Sequence, residues 1–365
     1  RRHSFPTRRS SDLPSIVTVT DNVGTIQNLT SGQSTNDNTP TLTGVTEADS
    51  IVTIRDGSTV IGTTTSDASG NWSFTPAPAL SEGSHSLTAT VTDGAGNISP
   101  AAPPFVVVVD TLAPAAPSIT SVIDDQPGST LLTNGQLTND AQPTLSGTTE
   151  ANAIVTIRSN GTIIGTANAD GSGSWSFTPT NALAQGENIF TVTATDAAGN
   201  VVTSPNPVIV TVDTQAPAAP VIVSATDDVG NAPTDLPTGS RSNDTLPLLK
   251  GTGTVDSTIT IYDGATLIGT ATVVSGGTWS FQVTQPLSEG PHALSAIATD
   301  AAGNASNAGN FTLTIDTTPP AAPVIIAGEG LVGSATVALA NGGSTKSTAP
   351  ALSGTGEPGA TITIF

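Results

Sequence analysis

Between residues 117 and 212, apolar and polar residues alternate with a period of two in short runs, and Gly, Asn, Asp and Pro cluster between the runs. These runs predict seven strands at about 117–123, 143–148, 153–158, 162–168, 174–178, 188–195 and 207–212. In WSFTP, Trp175 and Phe177 fall on one face, Ser176 and Thr178 on the other. The third and fourth runs are joined by SNG, and by DG at the matching positions 56–57 and 263–264. Asn, Asp and Gly tolerate positive φ, so these joins predict hairpins. Seven short antiparallel strands with frequent turns predict an all-β, immunoglobulin-like sandwich. The chain has no cysteine, so Trp and aliphatic side chains must fill the core without a disulfide.

The pattern recurs along the chain. Trp72, Trp175 and Trp279 are 103 and 104 residues apart, and Asp110, Asp213 and Asp316 are spaced by 103. NDNTPTLTG, NDAQPTLSG and NDTLPLLKG keep step, as do TDGAGN, TDAAGN and TDAAGN. The landmarks place units at 14–110, 111–213 and 214–316, and a fourth from 317 that ends at Phe365 inside its third strand. So long a period is not that of a solenoid; each unit should carry its own core, in an extended tandem array.

Composition narrows the picture further. With 37 Gly, 27 Pro and few aromatics, the chain favours strands and turns. No apolar run approaches the ~20 residues of a membrane-spanning helix; the longest, PFVVVVD, is strand-sized. Residues 1–13, RRHSFPTRRSSDL, match nothing later and hold four of the nine basic residues, yet no apolar stretch of a signal peptide follows. HSFPTRRSSDL resembles the conceptual translation of a sequencing adapter, and residues 1–13 are set aside as artefactual. Without them, 5 basic and 28 acidic residues remain, a net charge of −23. Such a surface argues against nucleic acid, whose phosphates need a basic face.

Strand order fixes where the acids lie. If the first strand leaves the entry pole, the loops after strands two, four and six return to it. The loops after strands one, three and five, with the chain exit, lie at the other end. The exit pole of the second unit then carries Asp124 and Asp125 at the start of its first loop, Asp140 at that loop's end, and Asp213 after the last strand. The entry pole of the third unit carries Asp256 and Asp300. In a head-to-tail array up to six carboxylates face one junction. Like charges within ~8 Å repel unless a counterion intervenes. Ca²⁺ suits such a place, taking 6–8 oxygens in tolerant geometry, whereas Mg²⁺ demands an octahedron.

Plainer readings compete. Asp56 and Asp263 are read as turn formers only, and Asp93, Asp196 and Asp300 as turn formers or ligands. Asp110, Asp213 and Asp316 open DTLAPAAP, DTQAPAAP and DTTPPAAP, extended segments where neither a tight turn nor a helix cap would need an acid. The Pro-rich stretch itself is a stiff spacer.

The phrases NDxxPTLSG, GTxxANAxVTI, GSWSFTP, TATDAAGN and VDTxAPAAP together resemble the bacterial Ig-like repeats of giant secreted adhesins and biofilm-associated surface proteins, over residues 14–365. That resemblance implies export, usually by a type I system, arrays extending from the bacterial cell surface, and Ca²⁺ that stiffens interdomain junctions. The ligands it implies are Asp110, Asp213 and Asp316 at the linkers, with Asp21, Asp37, Asp124, Asp125, Asp140, Asp227, Asp228 and Asp244 in the first loops. Asn22 departs from the paired acid in unit one. Unit four has Gly330 and Leu331 for the Asp pair and Lys346–Ser347 for Asn–Asp, while Glu357 remains at its entry pole. At a dissociation constant of about 0.1 mM, ~1 mM Ca²⁺ would contribute roughly 1.4 kcal/mol per ion, enough to fix a hinge and too little to fold a domain.

Nothing points to catalysis. His85 and His292 share a repeat position that holds Asn188 in unit two, so they are read as surface residues rather than bases. The acids lie at poles, not in a cleft. One Trp per unit, in phase with a Phe, is read as core rather than a sugar platform. Two functions remain: a calcium-stiffened stalk supporting cell adhesion and biofilm formation, or domains that bind a host or matrix glycan or protein directly. Tyr262 is the one hint of the second. The stalk is preferred, with neighbouring repeats as its partners and any host or matrix ligand outside this segment.

Overall fold

The computed structural model describes residues 13–365 except 127, 128, 231, 232 and 333; residues 1–12, most of the segment set aside as artefactual, lie outside it. The first repeat contains β1 (Ser15–Asp21), β2 (Gln27–Asn28), β3 (Gln33–Thr35), β4 (Thr41–Val45), β5 (Ile51–Asp56), β6 (Thr59–Thr65), β7 (Asn71–Phe74), β8 (Gly83–Thr92) and β9 (Phe105–Val109). One sheet runs β2-β1-β4-β7 and the other β3-β9-β8-β5-β6. The second repeat has β10 (Ser118–Asp124), β11 (Thr130–Leu132), β12 (Gln136–Thr138), β13 (Thr144–Thr148), β14 (Ile154–Ser159), β15 (Thr162–Asn168), β16 (Ser174–Phe177), β17 (Gly186–Thr195), β18 (Val201–Thr203) and β19 (Val208–Val212). Its sheets are β11-β10-β13-β16 and β12-β19-β17-β14-β15, with β18 beside β17.

The third repeat follows the first: β20 (Val221–Asp227), β21 (Thr234–Leu236), β22 (Ser240–Ser242), β23 (Leu248–Thr252), β24 (Thr258–Asp263), β25 (Thr266–Thr272), β26 (Thr278–Gln282), β27 (Gly290–Thr299) and β28 (Gly309–Ile315). In the fourth, β29 (Val324–Val332), β30 (Ala335–Leu339) and β31 (Ala351–Thr355) form one sheet, and residues 361–365 are not in a strand. The chain divides after Gln215 into two compact units. Among the described residues there is no helix, and so none long and apolar enough to cross a membrane.

All seven strands expected in the second repeat form. The first loop, however, is not merely a loop. Its end, β12, pairs in parallel with β19, as β3 does with β9 and β22 with β28. This strand brings the loop's closing aspartate beside the chain exit. The β14–β15 hairpin turns on Asn160 and Gly161, both at positive φ, as their residue types require.

Each of the first three repeats has a separate core, and alternation builds it: along β8, His85, Leu87, Ala89 and Val91 are buried between less buried neighbours. Trp72, Trp175 and Trp279 are buried, which assigns them to the core as read. In each of these repeats one glycine moulds the indole and another the phenyl ring. A Cβ on Gly147 would overlap the Ser118 carbonyl oxygen and stand 2.5 Å from Trp175 Cζ2, and one on Gly165 would overlap the Phe177 ring. Gly44 and Gly62, and Gly251 and Gly269, repeat the arrangement.

Candidate functional site at the linkers

The inward phase of β1 runs one step past the apolar core, from Val19 to Asp21, so an acid sits buried at the exit pole. Asp21 Oδ2 accepts a hydrogen bond from Thr35 Oγ1 at 2.8 Å and Oδ1 one from Val23 N at 2.9 Å. Asp37, also buried, accepts from Asn22 N at 3.0 Å and Thr39 N at 2.8 Å. Thr35 links the set: its Oγ1 accepts from Asp37 N, and its carbonyl accepts from Asp110 N at 2.9 Å.

The second repeat rebuilds this with Thr138 between Asp124 and Asp140, and Asp213 N on the Thr138 carbonyl. Asp125, exposed, donates its N–H to Asp140 and accepts from Thr144 Oγ1. The third uses Ser242 between Asp227 and Asp244, with Asp316 N on the Ser242 carbonyl and Asp228 N near Asp244 at 3.5 Å. In the fourth, Thr345 keeps the linking place, but with Gly330 for the first acid its Oγ1 donates to the Leu331 carbonyl.

The predicted ligands thus gather by repeat: Asp21 with Asp37, Asp124 with Asp140, Asp227 with Asp244, each pair beside its linker aspartate. Asp21, Asp37, Asp140 and Asp244 are at most 3% exposed. Among the described residues, no Lys, Arg or His forms an ion pair with these four carboxylates, whereas Asp316 meets Arg241 Nη1 at 3.2 Å. No group of three or more His, Cys, Asp or Glu side chains is placed to hold a metal among the described residues.

Two of the linker aspartates close a local side-chain turn, while the backbone over 110–117 and 213–220 carries no turn of its own. Asp110 Oδ1 accepts from Leu112 N at 3.2 Å, and Asp213 Oδ1 from Gln215 N at 3.0 Å, two residues on in each case. An acid acceptor closes a local turn just before the Pro run. The next residue, always Thr, is then clamped. Thr111 N and Oγ1 donate to the Glu82 carboxylate, Thr214 exchanges two bonds with the Gln185 amide, and Thr317 N and Oγ1 donate to Glu289 Oε2. The Thr317 bonds hold the Glu289 carboxyl below the usual range.

Downstream, the following repeat grips the linker. Ala115 N donates to Glu150 Oε2 at 3.3 Å while its carbonyl accepts from Thr149 Oγ1 at 2.9 Å. Ala321 N donates at 3.2 Å to Oε2 of Glu357, the acid that remains at the entry pole of the fourth repeat. Sequence reasoning passed over the Thr and Glu clamps; the invariant order Asp-Thr within the repeats was the available signal.

The turns after the sixth predicted strand spend their acids internally. Asp93 Oδ1 accepts from Ala95 N and Asn97 N, and Oδ2 from Asn97 Nδ2. The Asn97 side chain and backbone hold the Asp93 carboxyl below the usual range. Asp196 and Asp300 accept in the same way. In the second repeat the turn touches the first: Asn36 N donates to the Ala198 carbonyl at 3.1 Å, and Asn200 Nδ2 to the Asp110 carbonyl at 2.8 Å.

Two further expectations are corrected. His85 and His292 are not surface residues; they are 6% and 7% exposed, because they lie in phase with Leu87 and Leu294 on the core face. Nor are Asp56 and Asp263 turn formers only. Each Oδ2 lies 2.7 Å from the Nδ1 of its histidine, and Nε2 lies near the Ser81 or Ser288 carbonyl. Burial works against the charged imidazole, but these hydrogen bonds and the carboxylate's charge outweigh it and raise both histidine pKa values. The second repeat substitutes the whole pair, with Ser159 Oγ on Asn188 Oδ1 at 3.0 Å.

A family model described as bacterial Ig-like domain matches residues 27–111, 115–214 and 215–317. No curated protein matches the chain. Among solved structures, a tetra-tandem repeat in the extending region of a large adhesion protein is 24% identical, covering 86% of this chain and 76% of that one, with a TM-score of 0.26. A biofilm-associated protein BSP domain is 14% identical over 86% of this chain and 68% of that one, TM-score 0.21. Fibronectin(III)-like modules of Clostridium thermocellum CbhA are 15% identical over 50% of this chain and 90% of theirs, TM-score 0.34.

Proposed function

Since the chain belongs to the bacterial Ig-like domain family, we propose that it is a non-enzymatic stalk segment of a secreted or cell-surface bacterial adhesin, exported by a type I system and supporting cell adhesion and biofilm formation. The observation that carries the stalk reading is the clamping of the first Pro-rich linker at both ends, Thr111 on Glu82 and Ala115 on Glu150. A flexible tether would leave those donors to water. Each exposed contact contributes at most about 1 kcal/mol, so stiffness comes from several acting together with the prolines.

Calcium at the junctions is the second part of the proposal. The donor chemistry fits a hard cation: buried, oxygen-only pairs such as Asp21 with Asp37, free of basic partners among the described residues. The paired carboxylates would hold the ion, with carbonyls and water completing its shell. Bound there, it would offset carboxylate repulsion. Small-angle scattering of the chain in ~1 mM Ca²⁺ and in EDTA tests this. The maximum dimension should fall on chelation while domain melting barely moves; an unchanged dimension overturns the calcium part.

A further inference from the structure

We propose that the Asp-Ala-Ala-Gly-Asn turn of the second repeat, Asp196–Asn200, is a preformed plug for the exit pole of the repeat before it, and that Asn200 latches the two without a cation. The inference rests on the stalk reading, and adds a joint that calcium does not supply.

The turn is built before it docks. Asp196 Oδ1 accepts from Ala198 N and Asn200 N, and Oδ2 from Asn200 Nδ2. The first repeat makes the same three bonds at Asp93–Asn97. Internal bonds alone therefore set the shape, and little conformational entropy is left to lose on docking. The rigid turn then offers one acceptor and one donor. The Ala198 carbonyl receives Asn36 N, and Asn200 Nδ2, with its second hydrogen, reaches the Asp110 carbonyl.

These two contacts touch the two chain segments that define the first repeat's exit pole: the end of its first loop, through Asn36, and the start of the linker, through Asp110. Ala198 is 3% exposed, whereas its counterpart Ala95 is exposed, and Gly199 lies against the Asn36 side chain. An Asn serves where an Asp would not, because a carboxylate has no N–H for the carbonyl and would add charge beside Asp110. The partner the plug fits is the exit pole of an Ig-like repeat of this class, and Asp93–Asn97 presents the same plug.

Because the chain has no cysteine, spin labels at Thr63→Cys and Thr166→Cys report the first joint in the full chain. In EDTA, Asn200→Ala should broaden the distance distribution, and Asn97→Ala, which loses the same internal bond in the first repeat, should not. An Asn200→Ala distribution as narrow as the parent's overturns the latch. If Asn200→Ala unfolds its repeat, amide exchange at Asn36 in the unsubstituted chain decides. Protection of roughly tenfold or more in EDTA, the scale of one net hydrogen bond, supports the latch; unprotected exchange overturns it. A parent distribution indifferent to calcium would refute the calcium reading alone and leave the latch standing.

Discussion

Gly147→Ala tests how the Trp and its glycine define the fold. The added Cβ would overlap the Ser118 carbonyl oxygen and stand 2.5 Å from Trp175 Cζ2. The oxygen belongs to the first residue of β10, next to Ile119, which pairs with Gly147 itself, so relief requires the strands to part. Overpacking a core costs about 1–3 kcal/mol, and a backbone obstacle places this variant at about 3. For a domain of this size, each kcal/mol lowers the melting temperature by about 4–8 °C, so calorimetry of the full chain should show one transition displaced by about 12–24 °C. Gly171→Ala, with open space around it, should leave all transitions in place. Gly165→Ala provides the contrast, since every atom it would crowd belongs to the Phe177 ring. Phe177→Leu should therefore rescue Gly165→Ala, whereas Trp175→Leu should do little for Gly147→Ala. A Gly147→Ala chain melting within about 2 °C of the parent would refute the reasoning.

As pH rises above about 6.5 the first and third repeats should lose stability through His85 and His292 and the second should not. His85 and His292 have pKa values raised above 6.5, so their contribution is full below that value and is lost as pH climbs through the folded value; repeat-resolved melting after Asp56→Ser with His85→Asn, the pair of the second repeat, should show the first repeat's dependence abolished. Glu150→Ala should free Ala115 N, seen as faster amide exchange there, with repeat melting changed by no more than about 1 kcal/mol.

Much of the fold was legible because period-two alternation and Asn-Gly or Asp-Gly turns act over a few residues. The seven strands of the second repeat and the burial of Trp175 follow from such local signals. What escaped was a matter of phase and of distance. His85 sits two residues before Leu87 on β8, so its phase already placed it inward, but its partner Asp56 is 29 residues away. Likewise β12 shows no apolar alternation, since it is held by parallel pairing with β19 at the far end of the repeat. At the candidate site the linker acids were legible from their place before the prolines and the loop acids from strand order, while the Thr clamps depend on Glu82, Gln185 and Glu289 in other loops.

A stalk requires a linker ordered by its neighbours. Backbone ¹⁵N relaxation of Thr111 and Ala115 in the full chain measures this directly. If Glu82 and Glu150 clamp the two amides, their order parameters should match the strands at about 0.85; values below about 0.6 would describe a free tether and contradict the account.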